Sequence, residues 1–174
     1  MESTGILRRI DDLGRVVIPK EIRKNLKIKN GESLEFFVNG DSVVLKKYSY
    51  MSDLHDVAQN CSDSFYDVIN RNILITDLNN IIALSGNLKN KYLNKEISKA
   101  LINMINNRTV TIDDETEELE ITKGSKEKCK FIVSPIVVLG DPVGAVIILS
   151  DKNISEFIEK TATFISRFLG KCLQ

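Results

Sequence analysis

Eight basic side chains crowd the first thirty residues: Arg8, Arg9, Arg15, Lys20, Arg23, Lys24, Lys27 and Lys29. Only Glu2, Asp11, Asp12 and Glu21 oppose them, so this stretch carries a net charge of +4. The rest of the 174-residue chain holds 16 basic and 20 acidic residues, which brings the total to zero. Electrically the chain is two proteins. Lysine and arginine neutralise phosphates and release their counterions, and arginine also forks onto guanine O6 and N7. The chemistry of the first segment is therefore that of a nucleic-acid backbone reader.

Catalytic chemistry has little to rest on. His55 is the only histidine and there is no tryptophan, so Ser–His or Cys–His catalysis would hang on one residue. His55 reads as a surface or helix-packing side chain. Cys61, Cys129 and Cys172 are odd in number and lack metal-ligand spacing. Cys61 and Cys172 fall on apolar helical faces, and all three read as small core residues with reduced thiols. The acidic run Asp113–Glu120 (DDETEELE) lacks the glycine and alternating aspartates of a calcium loop. It reads as a solvated loop, or as a feature that keeps DNA away from the second half. No glycine-rich phosphate loop is present, since Gly5, Gly14 and Gly144 are isolated. We expect no enzyme, no cofactor and no metal. No apolar run approaches the roughly 18 residues of a spanning helix, and the N-terminus lacks a signal-peptide block. A soluble cytoplasmic protein without a membrane role is expected.

The basic residues need short elements to hold them. Residues 5–10 (GILRRI) and 15–18 (RVVI) read as strands joined by Asp11-Asp12-Leu13-Gly14, a turn in which Gly14 takes positive φ. Pro19 ends the strand and opens a helix from Lys20 to about Leu26. Ile22 and Leu26 would face inward, with Lys20, Arg23, Lys24 and Lys27 on the exposed side. Residues 33–38 and 42–48 then flank Asn39-Gly40-Asp41 as a hairpin. Some fifty residues of short strands bury too little to be stable alone, and neither disulfide nor metal is available. The expectation is an obligate dimer whose paired basic faces suit duplex DNA.

Thr4–Tyr48 resembles the AbrB-type swapped-hairpin DNA-binding domain, most closely in the block Asp12-Leu13-Gly14-Arg15-Val16-Val17-Ile18-Pro19-Lys20-Glu21-Ile22-Arg23. The resemblance implies an interleaved, all-β dimeric barrel with a short helix, binding DNA through arginines on its loops and helix. Carried over by position, these are Arg8, Arg15 and Arg23. Lys24 stands where relatives often have another arginine, which keeps the charge but not the bidentate fork. Arg9 and Lys20 are expected as auxiliary phosphate contacts. Lys27, Lys29, Lys46 and Lys47 read equally well as phosphate contacts or as solvating charge. Asp11 and Asp12 read as turn formers and as an ion pair holding Arg8 or Arg15. Some antitoxins share this domain.

After Tyr48 the periodicity lengthens. Leu54, Val57, Ala58, Cys61, Phe65, Val68 and Ile69 predict an amphipathic helix from about Ser52, its N-cap, to Asn70. No Gly/Pro/Ser-rich linker precedes it, so the join is expected to be stiff. Residues 73–76 and 81–85 read as an antiparallel pair, Leu93 to Ile105 as helical, and 130–139 and 143–150 as strands turned by Gly140-Asp141-Pro142. A last helix from about Ile154 to Leu169 carries a wide apolar stripe, which implies packing against another subunit. This α+β layout of antiparallel sheet and flanking helices is similar to a GAF domain over about Leu54–Leu173. No cyclic-nucleotide signature accompanies it, so a small-molecule ligand and an empty, purely oligomerising domain both stay open.

The expected division is 1–50 for DNA binding and 51–174 for regulation and oligomerisation. In this order the halves resemble a family of late-sporulation transcription regulators, which implies activation and repression by a tetramer joined through its GAF-like domains. AT-rich promoter duplex is the expected target. Two rivals are an antitoxin-like interaction protein and a small-molecule receptor whose head only oligomerises.

Overall fold

The computed structural model of the chain describes residues 5–26, 28, 30–31, 33–47 and 54–174. Two compact units divide the chain, Met1–Tyr48 and Ser49–Gln174.

In the first unit, α1 (Lys20–Asn25) follows Pro19, whose fixed φ of −57° suits a helix entry. Strands β1 (Leu34–Asn39) and β2 (Ser42–Lys47) pair antiparallel from Leu34↔Lys47 to Asn39↔Ser42. Gly40 and Asp41 form the two-residue loop, and Gly40 sits at φ +58°, as a II′-type hairpin turn requires of its first loop residue. Residues 5–10 and 15–18, expected as strands, join no ladder within the described chain. A ladder needs a neighbour, and β1 and β2 use each other. Pro19 is the only buried residue among those described here. Leu7 is 91% exposed, Val38 81% and Phe36 70%. Leu26, expected to face inward, is exposed, while Ile22 is half-buried.

The second unit is built differently. Helix α2 (His55–Ile69) leads into β3 (Asn72–Asp77) and β4 (Ile81–Ser85). Two helices, α3 (Lys89–Tyr92) and α4 (Lys99–Asn106), precede β5 (Thr111–Thr122), β6 (Ser125–Val138) and β7 (Asp141–Ser150). The chain ends in α5 (Glu156–Cys172). The sheet order is β4-β3-β7-β6-β5, with every described pair antiparallel. Both faces are covered. Ile73, Ile75, Val146 and Ile148 pack with Ala58, Ile158, Ala162 and Ile165 of α2 and α5. Leu74, Ala145, Ile147 and Leu149 pack with Leu101 and Ile105 of α4 and with Tyr92. Because successive strand side chains point to opposite faces, a strand buried on both must be apolar throughout, which accounts for the run Ala145–Leu149. Ser98 and Ser155 cap α4 and α5 by accepting from the N–H groups of Leu101 (3.1 Å) and Ile158 (3.4 Å).

Several expectations shift here. The acidic run is not a loop but the outer strand β5, where Leu119 and Ile121 are buried between carboxylates. Charge on an edge strand discourages pairing with other chains. The β6–β7 turn falls at Leu139-Gly140, so Asp141 and Pro142 belong to β7. Cys172 is exposed rather than in the core, while Cys61 and Cys129 are half-buried. The expected N-cap Ser52 lies outside the described residues. No helix among those described is long and apolar enough to cross a membrane.

Candidate nucleic-acid interface

The sequence Asp11-Asp12-Leu13-Gly14-Arg15 folds into a turn because one carboxylate ties it together. The Gly14 N–H donates to the Asp11 carbonyl (2.9 Å) and the Asp11 N–H to the Arg15 carbonyl (3.0 Å). Asp11 Oδ1 accepts from the N–H groups of Leu13 (3.0 Å) and Arg15 (2.8 Å), and Oδ2 accepts from Arg15 Nε (2.8 Å). Gly14 supplies the φ of +75° that closes the turn. The Arg15 N–H, then the Arg15 guanidinium, hold the Asp11 carboxyl below its ordinary aspartate value. Arg15 is thus tethered through Nε while its side chain stays 71% exposed, which presents the far edge of the guanidinium to solvent.

Arg8 and Arg9 precede this turn and are exposed. Among the described residues the Arg8 guanidinium donates to the Leu7 carbonyl (3.0 Å), and Asp11 holds Arg15. On α1, Lys20 and Lys24 stand one turn apart and are exposed. Arg23, placed by sequence on the exposed side, is half-buried. Its Nη1 donates to Asn30 Oδ1 (3.1 Å), and its Nε is shielded from solvent without a partner. Asn30 gave no sequence signal beyond turn chemistry, because α1 ends at Asn25 and the helical period does not carry on to residue 30. Lys46 lies 4.9 Å over the Phe37 ring, so its charge has a local partner. Lys27 and Lys29 lie outside the described residues. The turn and α1 each bring basic groups together, and no described bond links the two sets.

The second unit offers no catalytic constellation among the described residues. No group of three or more His, Cys, Asp or Glu is placed to hold a metal. His55 opens α2, exposed, with Nδ1 3.7 Å from Asp56. Burial pushes the Cys129 thiol up to about 11, with Glu127 and Asp113 adding to the shift, the opposite of an activated nucleophile. The surface feature of this unit is aromatic. Phe157, Phe164 and Phe168 of α5 are exposed; Phe164 stacks on Phe168 at 6.2 Å and meets Phe65 of α2 at 6.3 Å.

A basic swapped-hairpin-like head and a GAF-like tail define a class of two-unit regulators, and comparison with known proteins narrows it. The model of the stage V sporulation protein T C-terminal family, described as a transcription factor, matches residues 53–174. The MazE antitoxin model, for antidote–toxin recognition, matches residues 7–53. Stage V sporulation protein T of Bacillus subtilis (strain 168) is 43% identical over 177 residues, spanning 100% of this chain and 99% of that protein. The transition state regulatory protein AbrB of the same organism is 52% identical over 48 residues, 28% of this chain and 50% of that one. The A. aeolicus nlh2 GAF domain in an inactive state superimposes with a TM-score of 0.53 at 15% identity, covering 72% of this chain and 85% of that one, which shows the fold of the tail. The chain belongs to the stage V sporulation protein T family.

Proposed function

We propose that this protein is a DNA-binding transcription regulator of sporulation genes, acting as activator and repressor, whose residues 1–50 read duplex DNA as a dimer. The observation that carries the reading is Arg15, held on an exposed turn by Asp11 in a unit whose apolar side chains are uncovered in one chain. Two copies that bury Leu7, Phe36 and Val38 against each other would present two Arg15 turns to one duplex. Arg8, Arg15, Arg23 and Lys24 contribute the main contacts, and Arg9 and Lys20 add phosphate contacts. Arg23 would act partly by fixing α1 against Asn30. The family is one of transcription factors, which supports a binding role over an enzymatic one and a place in the cytoplasm with the DNA. The antitoxin model matches only the head, whereas the sporulation relative matches the whole chain, so the regulator reading leads.

Fluorescence anisotropy with AT-rich duplex at several salt concentrations tests this. A dimer making roughly 6–8 phosphate contacts gives a slope of log K against log salt near −5 to −7. Arg15→Ala is expected to weaken binding by about 10- to 100-fold and flatten that slope, with the dimer intact. No binding at low salt by a protein shown to be dimeric would leave the head as an oligomerisation module.

For the tail, residues 51–174, we propose tetramer formation through the Phe65, Phe164 and Phe168 face. Phe164→Glu is expected to reduce tetramer to dimer in light scattering, because a charge in an apolar contact must be desolvated. An unchanged mass would move the contact elsewhere.

A further inference from the structure

Only two asparagines of the chain are followed by glycine, Asn30 and Asn39, and both lie in the head. That dipeptide carries chemistry of its own. The backbone nitrogen after an asparagine can close a five-membered ring onto the side-chain amide carbon, and glycine leaves that nitrogen without a side chain beside it. The two sites differ in their surroundings. Asn39 ends β1 opposite Ser42, so the ladder holds its backbone extended. Asn30 stands in the turn between α1 and β1, exposed and outside any described ladder. Gly31 follows at φ +85°, with nothing within 4 Å of where a side chain would stand.

Arg23 sets Asn30 further apart. Its Nη1 donates to Asn30 Oδ1 at 3.1 Å, and the donor is a permanently charged guanidinium. A cation on a carbonyl oxygen draws electrons from the amide carbon. It also stabilises the negative charge that builds on that oxygen when a nucleophile adds. Here the nucleophile is the next residue along the chain. No described group donates to the Asn39 side chain.

We propose that Asn30 is a site of spontaneous deamidation, promoted by Arg23, and that its conversion weakens DNA binding as the protein ages. The Gly31 nitrogen gives its proton to solvent base and attacks Asn30 Cγ, closing a succinimide ring. The bond from Cγ to Nδ2 breaks, and Nδ2 takes up a proton from solvent and leaves as ammonia. Water then opens the ring at either carbonyl, leaving aspartate or isoaspartate at position 30. Each product sets a carboxylate where Arg23 now meets a neutral amide. The first thirty residues fall from +4 to +3, and a guanidinium assigned to DNA gains an acidic partner. The loss of affinity rests on the head's reading of duplex; the deamidation does not.

The test ages the full-length protein in mildly alkaline buffer and samples it over days. Peptide mapping by mass spectrometry follows the amide-to-acid conversion at Asn30 and Asn39, and anisotropy follows duplex binding in the same samples. Asn30 is expected to convert several-fold faster than Asn39. Arg23→Gln should slow Asn30 by about two- to tenfold, the worth of one hydrogen bond, and Arg23→Lys should restore part of the rate. Both are read against Asn39 in the same sample, so that a general loosening of the head cancels. Asn30→Asp should bind duplex roughly three- to tenfold more weakly from the outset, with a salt slope shallower by about one per head. Asn30→Gln, whose longer side chain closes the ring far more slowly, should keep its affinity on ageing. Conversion at Asn30 no faster than at Asn39, or unslowed in Arg23→Gln, overturns the site. Wild-type affinity in Asn30→Asp overturns its effect on DNA. If the fresh protein binds no duplex, the reading of the head fails while the peptide maps still judge the chemistry.

Discussion

The head and the tail of this chain bury their apolar residues by different means. The tail closes around itself: both faces of its sheet are covered, and Ile73, Leu74, Ile75, Ile147 and Ile148 are inaccessible to solvent. The head has Pro19 and no other buried residue among those described, although it carries phenylalanine, valine and leucine in its hairpin. Exposed apolar patches of this kind mark interaction surfaces. The difference teaches that sequence length does not define a folding unit. The tail completes a core from one chain, and the head calls for a second.

The sharpest way to break that contrast is Phe36→Ala. In one chain Phe36 is 70% exposed, and truncating an exposed side chain changes stability little. If two heads share a core, the same change costs about 3–5 kcal/mol per protomer and makes the head's unfolding strongly dependent on protein concentration. Chemical denaturation across a hundredfold range of concentration separates the outcomes. A loss within a few tenths of a kcal/mol would mean that the head does not bury this ring even as an assembly.

Leu101→Ala is the counterpart in the tail. Leu101 is fully buried on the inner face of α4, so the cavity costs about 2–5 kcal/mol, read as a shift in the tail's denaturation midpoint. DNA affinity measured well below that midpoint should hold, because the lesion lies in the other unit. A parallel loss of DNA binding would show that the two units unfold together.

The sequence reveals most where a local rule operates. Asp11 to Gly14 reads as a turn because Asx and glycine chemistry acts over four residues, and the hairpin at Gly40 follows for the same reason. Helices α2 and α5 show in their apolar period. Strand β5 stays hidden because Asp113, Asp114, Glu115, Glu117, Glu118 and Glu120 mask the two buried apolar positions, Leu119 and Ile121, that anchor it. An edge strand needs only one apolar face, and composition alone reads it as solvated. Residues 5–10 and 15–18 have strand composition, but composition cannot name the partner that a ladder requires. Of the site, the basic residues and their turn were legible. The burial of Arg23 against Asn30 was not, since it arises from residues that only folding brings together.

The smallest expected effect is also the one that separates positioning from bulk charge in the head. Asp11→Asn keeps an Oδ1 acceptor for the Leu13 and Arg15 N–H groups but removes the charge that holds Arg15 Nε. It also raises the head's net charge by one, which on electrostatics alone strengthens DNA binding. If the tether orients Arg15, affinity instead falls by roughly two- to fivefold, as for an exposed pair whose worth is mostly geometric. The wild-type protein carries the same test in its pH response. Arg15 lowers the Asp11 carboxyl in the folded turn, so the tether is fully present above the ordinary aspartate value near pH 4 and is lost as pH falls through the lowered one. The Arg15 Nε–H resonance followed by NMR should therefore keep its tethered shift down to about pH 4 and release it only below. Tighter DNA binding by Asp11→Asn would make the arginine's charge, and not its placement, the operative quantity.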